Sequence, residues 1–265
     1  MSTAAGLRVD VLGVGVDAQT LDHAVETIGG WVDGGEPNYV CITGVHGVIE
    51  CQDDPELRRI HNDAGMVTAD GMPLVWLSRR RLHDSRVERV YGPDLMLAAF
   101  ERSEVTGWRH FLYGAAPATL DRLADNLHDR FPRARVVGAV SPPFRALGRD
   151  EDAAVCDCIA EAHPDIVWVG LSTPTQERWM ASHVGRVGAP VLVGVGAAFD
   201  FHAGVKRQAP LWVQRSGLEW AFRAASEPRR LAGRYLRNNP RFVWLLCKQT
   251  LGRRAVAWNA RNHCQ

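Results

Sequence analysis

The chain has 265 residues, 46% of them apolar, with 31 Lys+Arg against 30 Asp+Glu, enough for one large domain or a domain with an appendage. The near-neutral total hides a division: residues 1–204 carry 18 basic and 28 acidic side chains, whereas residues 205–265 carry 13 basic side chains and only Glu219 and Glu227. No apolar run approaches the roughly 20 residues of a spanning helix, Met1 to Asp17 does not read as a secretory signal, and the six cysteines include no C-x-x-C pair, so a soluble or peripheral protein with reduced thiols is expected.

In chain order, strands are predicted over Val9–Val16, Asn38–Val45, Met66–Ala69, His110–Tyr113, Arg135–Val140, Ile166–Gly170 and Val191–Val195. Helical patterns fall between them, over Leu21–Val32, Pro73–Leu82, Asp94–Arg102, Ala118–Phe131, Asp150–Ala162 and Thr175–Val184. This alternation predicts an α/β fold with a mostly parallel sheet covered on both faces. After Gly204 no further strand is expected, and a basic helical pattern runs nearly to the end. The expected division is therefore a body over 1–204 and a basic helical C-terminal appendage over 205–265.

Ligands of such sheets bind beyond the carboxyl ends of the strands, and three junctions there carry candidate chemistry. Asp70-Gly71 follows a strand and precedes a helix; Asp70 is a candidate general base, although spacing alone favours a helix N-cap with Pro73 in the first turn. Gly170 to Trp179 contains Thr173-x-x-Gln176, which reads as a capping box with Pro174 at the first helical position. A helix N-terminus at a sheet edge is also a natural diphosphate site. Gly194-x-Gly196 fails as a dinucleotide fingerprint because Phe199 stands where the third glycine belongs, and Asp200 and His202 either contact a base or sugar or close a loop.

The acidic pairs Asp53-Asp54 and Asp150-Glu151-Asp152 sit at expected helix starts, where carboxylates complement the dipole. No His/Cys/Asp spacing resembles a metal site, so no metal is expected. In the appendage, Arg207, Arg223, Arg230, Arg234 and further basic residues interleave with Trp212, Trp220, Phe222, Tyr235 and Trp244, with almost no acidic partners. Arginine and tryptophan together suit anionic headgroups or diphosphates; nucleic acid is the competing partner.

Taken together the junctions are more specific than any one alone. The chain resembles the WecG/TagA/CpsF family of bacterial glycosyltransferases from about Val9 to Tyr235, through Ala69-Asp70-Gly71-Met72, Gly92-Pro93-Asp94-Leu95, Phe111-Leu112-Tyr113-Gly114 and Val169-Gly170-Leu171-Ser172-x-Pro174-x-Gln176-Glu177-x-Trp179. Gly194-Val195-Gly196-Ala197-x-Phe199-Asp200, Gly204, Arg207, Gly217-Leu218-Glu219-Trp220, Arg223, Glu227-Pro228 and Arg234-Tyr235 follow in order. The resemblance implies a Rossmann-like body and an inverting, metal-independent transfer of an N-acetylated hexosamine, N-acetylmannosamine-type, from a UDP-sugar donor to an undecaprenyl-diphosphate-linked acceptor. No cofactor and no nucleic acid are implied. It also implies a cytoplasmic enzyme, peripheral on an anionic membrane surface and possibly homo-oligomeric, whose appendage completes the site.

By the same resemblance Asp70 matches the family's base, with Thr43 beside it. Gly114, Gly170, Gln176, Gly196 and Asp200 match the donor site, and Arg207, Arg223, Arg230 and Arg234 match the diphosphate and acceptor site. One departure bears on function. Where the family has Thr-x-Asn after its second strand, this chain reads Cys41-Ile42-Thr43-Gly44-Val45-His46. Either Thr43 takes the threonine role or both polar groups are replaced. The alternative reading is a catalytically inactive UDP-sugar-binding regulatory protein, which would bind UDP without turnover.

Overall fold

The computed structural model describes residues 7–262, with the side chains of Arg230 and of residues 252–262 outside the description. The expected single strand Val9–Val16 is a hairpin. Strands β1 (Arg8–Val11) and β2 (Val14–Asp17) pair antiparallel, and Leu12 and Gly13 both have positive φ, 55° and 85°. Two such residues make the tight turn whose twist suits a hairpin. The alternation ran on across the turn because a leucine, not Asn or Gly, takes its first position.

Helix α1 (Leu21–Gly34) follows, started by the Thr20 hydroxyl accepting from the His23 amide and closed by left-handed Gly35. Strand β3 (Asn38–Thr43) then leads into two helices that the periodicity did not reveal, α2 (Val45–Asp53) and α3 (Pro55–Asp63). Asp54 caps α3 as its position suggested, but Asp53 ends α2 rather than starting a helix. Next come β4 (Met66–Ala69), α4 (Met72–Leu82), α5 (Gly92–Thr106), β5 (Arg109–Gly114), α6 (Pro117–Arg130), β6 (Arg135–Val140) and α7 (Arg149–Glu161). Strand β7 (Ile166–Gly170), α8 (Thr175–His183), β8 (Val191–Gly194) and the short α9 (Ala198–His202) complete the part before Gly204.

Strands β3 to β8 form one parallel sheet in the order β4-β3-β8-β7-β5-β6. Alternate residues of each strand serve opposite faces. Cys41, Val67, Phe111, Tyr113, Val167, Val169 and Leu192 enter one core with α2, α3, α4, α7 and α8. Val40, Met66, Leu112, Ile166, Trp168, Val191 and Val193 enter the other, with α1, α5, α6 and α9. Burial on both sides explains why these strands read as continuous apolar runs. The second core holds a closed polar chain. Trp168 Nε1 donates to His110 Nδ1 at 3.0 Å, His110 Nε2 donates to Ser103 Oγ at 2.7 Å, and Ser103 donates to the Ala99 carbonyl. Burial pushes His110 down to about 3, so it stays neutral and does structural work.

Beyond Gly204 the chain turns through α10 (Leu211–Arg215) and α11 (Glu219–Ser226) into the long α12 (Pro228–Asn262). These helices lie against the sheet's carboxyl edge and α2. Leu231 and Phe242 are buried, the latter in the first core, and Arg241 holds Asp53 through both carboxylate oxygens at 2.5 and 2.6 Å. No helix among the described residues is long and apolar enough to cross a membrane.

Candidate functional site

All six parallel strands end on the same edge, and a cleft of about 1430 Å³ opens there. Small-molecule sites usually occupy about 300–1,000 Å³, so this one has room for two substrates. The connection from β5 runs outward to β6, while that from β7 runs the other way to β8. The reversal makes the ends of β5 and β7 the switch point where nucleotides bind in open α/β sheets.

The ends of β5 and β7 are Gly114 and Gly170. A Cβ on Gly114, at φ 127°, would lie 2.7 Å from the Gly170 carbonyl. Gly114 thus allows the two strand ends to close together and does not itself line the cleft, whereas Ala115, Gly170 and Ser172 do. Lining residues follow the strand order along the edge, with Asp70 after β4, Thr43 on β3, Gly194 and Gly196 at β8, Gly170 to Thr173 at β7, Ala115 and Ala116 at β5, and Pro142 to Ala146 after β6. At about 4.8 Å per strand, the four steps from β4 to β5 span about 19 Å. An extended nucleoside-diphosphate sugar can lie across that row.

Asp70 is not a cap. Gly71 occupies the N-cap of α4 and no side chain caps it, so the reading that spacing favoured is corrected. The Asp70 backbone is held on both sides instead. Its amide donates to the Thr43 carbonyl at 3.0 Å and its carbonyl accepts from Arg89 Nε at 2.5 Å. No hydrogen bond engages its carboxylate among the described residues, and that half-buried group faces the cleft. Burial pushes Asp70 up to about 6; Arg89 and Arg223 oppose the shift, and Glu219 and Asp94 add to it. A carboxylate poised there can take a proton near neutral pH. Gly44 keeps the approach open, since even a Cβ there would lie only 3.6 Å from Asp70 Oδ2.

Thr43 is 2% exposed and its hydroxyl is committed. His61 Nδ1 lies 2.9 Å from the Leu57 carbonyl, which can only accept, so that nitrogen carries the hydrogen and Nε2 accepts from Thr43 Oγ1 at 2.8 Å. Thr43 therefore offers the cleft lone pairs and not a proton.

The Thr173-x-x-Gln176 capping box does not form. Pro174 is the N-cap, Thr173 Oγ1 donates to Glu177 Oε1 at 2.8 Å, and Gln176 Nε2 donates to the same oxygen at 3.1 Å. A buried carboxylate one turn on offers a stronger acceptor than the exchange of caps. Gln176 is 3% exposed, and its Oε1 is left buried without a partner, near Gly196. A ligand donor would satisfy it. Asp200 lines the cleft and is paired with Lys206 at 2.8 Å; Lys206 also approaches Glu227 at 3.8 Å.

The helices after Gly204 supply the opposite wall with Gln214, Glu219, Trp220, Arg223, Arg234 and Tyr235. Arg223 and Arg234 are half-buried, and neither makes an ion pair or a hydrogen bond among the described residues; Arg223 passes 5.9 Å from the centre of the Phe201 ring. Unpaired guanidinium groups in a cleft call for an anion. Arg207 is exposed and outside the cleft lining. The side chain of Arg230 lies outside the described residues.

Sequence reasoning missed Arg89, which joins the two walls. It binds the Asp70 carbonyl, Gln214 Oε1 at 3.0 Å and Glu219 Oε2 at 2.6 Å, and lies 3.8 Å above the Tyr91 ring, whose hydroxyl donates to Glu219 Oε1. Its signal was weak because its partners lie 125 and 130 residues away. His46 was likewise given no role, and it lines the cleft next to Thr43.

One group of metal-ligand type occurs among the described residues, Asp152, Cys156 and His183, with ligand atoms within 4.8 Å of one another. None of them lines the cleft. Asp152 there is shared between His183 Nε2 at 2.8 Å and Arg186 at 3.1 Å, an ion-pair cluster that accounts for the grouping.

The model of the glycosyl transferase WecG/TagA/CpsF family matches residues 9–256. Among curated proteins, similar chains occur in Staphylococcus aureus strains MW2, NCTC 8325 / PS 47 and COL. Each is 28% identical over 243 residues, covering 91% of this chain and 92% of its own length. All three are named N-acetylglucosaminyldiphosphoundecaprenol N-acetyl-beta-D-mannosaminyltransferase.

Proposed function

The chain belongs to the WecG/TagA/CpsF family of glycosyltransferases, and on that premise we propose that it transfers an N-acetyl-β-D-mannosaminyl group from a UDP-sugar to an N-acetylglucosaminyl-diphosphate lipid of the undecaprenol type. The observation that carries this reading is the pairing, in one cleft, of the unengaged Asp70 carboxylate with the unpaired Arg223 and Arg234. A hydroxyl to be deprotonated and a diphosphate on the same substrate fit that pair. Asp70 takes the acceptor hydroxyl's proton as the oxygen forms its bond to the anomeric carbon. The bond from that carbon to the UDP oxygen breaks, and UDP leaves with the electron pair from the opposite face, inverting the centre.

The donor lies across the strand ends, its sugar near Asp70 and Thr43 and its uridine toward Ala115 and Pro142 to Arg145. Its diphosphate meets Gly170 to Gln176 and the α8 N-terminus, where the unpartnered Gln176 Oε1 accepts a donor hydroxyl. The direct test is purified protein with a panel of UDP-sugars and a short-chain N-acetylglucosaminyl-diphosphate lipid, with products read by mass spectrometry. Addition of one N-acetylhexosamine from the mannosamine donor is expected. UDP binding with no product from any donor would mark a regulatory protein instead.

Two further expectations belong to this reading. As a base, Asp70 must be ionised, so kcat/KM is expected to fall below an apparent pKa of about 6 by about tenfold per pH unit. A profile flat from pH 5 to 8 would remove the base from Asp70.

The second concerns the membrane. Leu236, Val243, Trp244 and Leu251 are exposed along one stripe of α12, and Lys248 lies 5.5 Å from the Trp244 ring. With Trp212 exposed on α10, this stripe suits an anionic leaflet. The double variant Trp244→Glu, Leu251→Glu is expected to lose binding to vesicles containing phosphatidylglycerol while keeping turnover of a water-soluble acceptor. A cut after Asn238 would also remove buried Phe242 and the Arg241–Asp53 pair, so point changes are the cleaner test. Equal vesicle binding by the variant and the parent protein would place the contact elsewhere.

A further inference from the structure

His46 stands in the first turn of α2, on the cleft wall between two chemistries. On one side Asp70 and Thr43 close the ends of β4 and β3; on the other Arg223 and Arg234 reach in from α11 and α12. A sugar whose hydroxyl meets Asp70 and whose diphosphate meets the arginines lies in the cleft that His46 lines, and His46 is close enough to Arg234 and Arg223 to feel their charge.

The imidazole is held in one orientation. Asn238 on α12, 1% exposed, brings Nδ2 to 3.0 Å from His46 Nδ1, and Glu50 Oε1 lies 3.3 Å from the same nitrogen one helical turn on. Of the two, only Asn238 meets Nδ1 in hydrogen-bond geometry; with its amide nitrogen turned to the ring and donating, Nδ1 accepts and the ring hydrogen is on Nε2. Among the described residues Nε2 has no partner, and the side chain is 24% exposed. Burial, with Arg234, Arg237 and Arg223 adding to it, pushes His46 down to about 4, so the ring is neutral at physiological pH.

We propose that His46 is an acceptor-positioning residue, its Nε2–H donating to an oxygen of the sugar attached to the acceptor diphosphate. The assignment rests on the acceptor class proposed above. A neutral donor at this point binds a sugar oxygen without competing with the arginines for the diphosphate. Its orientation also depends on α12 being docked, because Asn238 belongs to that helix.

The test uses the full chain with a short-chain, water-soluble N-acetylglucosaminyl-diphosphate acceptor, and compares His46→Ala, His46→Gln and the parent protein. His46→Ala is expected to raise the acceptor KM about tenfold, the size of one lost hydrogen bond, with the donor KM changed less than about twofold. His46→Gln, which keeps a neutral N–H donor, is expected to recover most of that loss. Thermal melting separates packing from recognition, since Gln and Ala should melt within a few degrees of each other while differing in acceptor KM. The inference is overturned if Ala leaves the acceptor KM unchanged, if Gln and Ala are equally impaired, or if donor and acceptor KM rise together. Failure of the parent protein to use any diphosphate-linked sugar would instead sink the acceptor class on which the assignment stands.

Discussion

Asp70→Asn is expected to lower kcat by about 10³-fold while leaving UDP affinity within about twofold. General base catalysis contributes about 10² to 10⁴, and an amide cannot accept the acceptor's proton. The substitution keeps shape, and because Gly71 rather than Asp70 occupies the N-cap, no helix cap is lost. The held parts of residue 70 are its backbone amide and carbonyl, which the variant retains.

The stability effect has a definite sign. Asp70 is raised from 3.8 in the unfolded chain to about 6 in the folded one, so the fold favours its protonated form. The stability this group contributes is fully present below about pH 4 and is lost as pH rises through about 6. At pH 8 the ionised carboxylate therefore costs the fold up to about 3 kcal/mol, at about 1.4 kcal/mol for each tenfold change in proton affinity, and Asn does not carry that cost. Asp70→Asn should melt a few degrees higher than the parent at pH 8, with the difference vanishing at pH 4. Retained turnover would remove Asp70 from the chemistry, and a large drop in Tm would show that its carboxylate supports the fold.

How much of this could be read beforehand varies with the distance over which each feature is determined. Strands β4 and β7 match their apolar runs because both faces of the sheet are covered there, and the residues at the strand ends mark where they stop; β6, at the sheet edge with no fully buried residue, matches through its β-branched run. Asp70 was visible for the same reason, as a carboxylate at a strand-to-helix junction. The hairpin was missed because Leu12 takes a left-handed turn position that no propensity assigns to leucine. Helices α2 and α3 were missed because their hold on the fold is tertiary. His61 on α3 bonds to Thr43 on β3, a contact that no helical period records. The capping box failed through a competing partner, Glu177, at the right distance along the same turn. Within the cleft, Arg89 and His46 depend on Glu219 and Asn238, 130 and 192 residues away. Local spacing reports residues that act at the ends of their own strands. It is silent on residues whose partners arrive from the C-terminal helices.

Arg223→Ala combined with Arg234→Ala is expected to reduce kcat/KM for the diphosphate-linked acceptor by about 10²- to 10⁴-fold. Each is a half-buried guanidinium without an ionic partner among the described residues, so its removal breaks no ion pair of the resting protein. Hydrogen bonds to charged groups are worth about 1.5–3 kcal/mol each, and two lost together give that range. The double variant should fold, since the helices are held by Leu231, Phe242 and the Arg89–Glu219 pair, none of which is touched. Removing Arg223 has a second consequence of known direction. Arg223 is among the groups that lower the Asp70 pKa, so its loss lets that pKa rise and moves the acid limb of the rate profile upward from about 6. Arg223→Lys keeps the charge without the planar fork, and should restore the pH profile more fully than the acceptor KM. If the double variant used the diphosphate-linked acceptor as well as the parent protein does, the arginines would not be the diphosphate's partners. If its acid limb stayed in place while kcat/KM fell, Arg223 would bind the acceptor without setting the ionisation of Asp70.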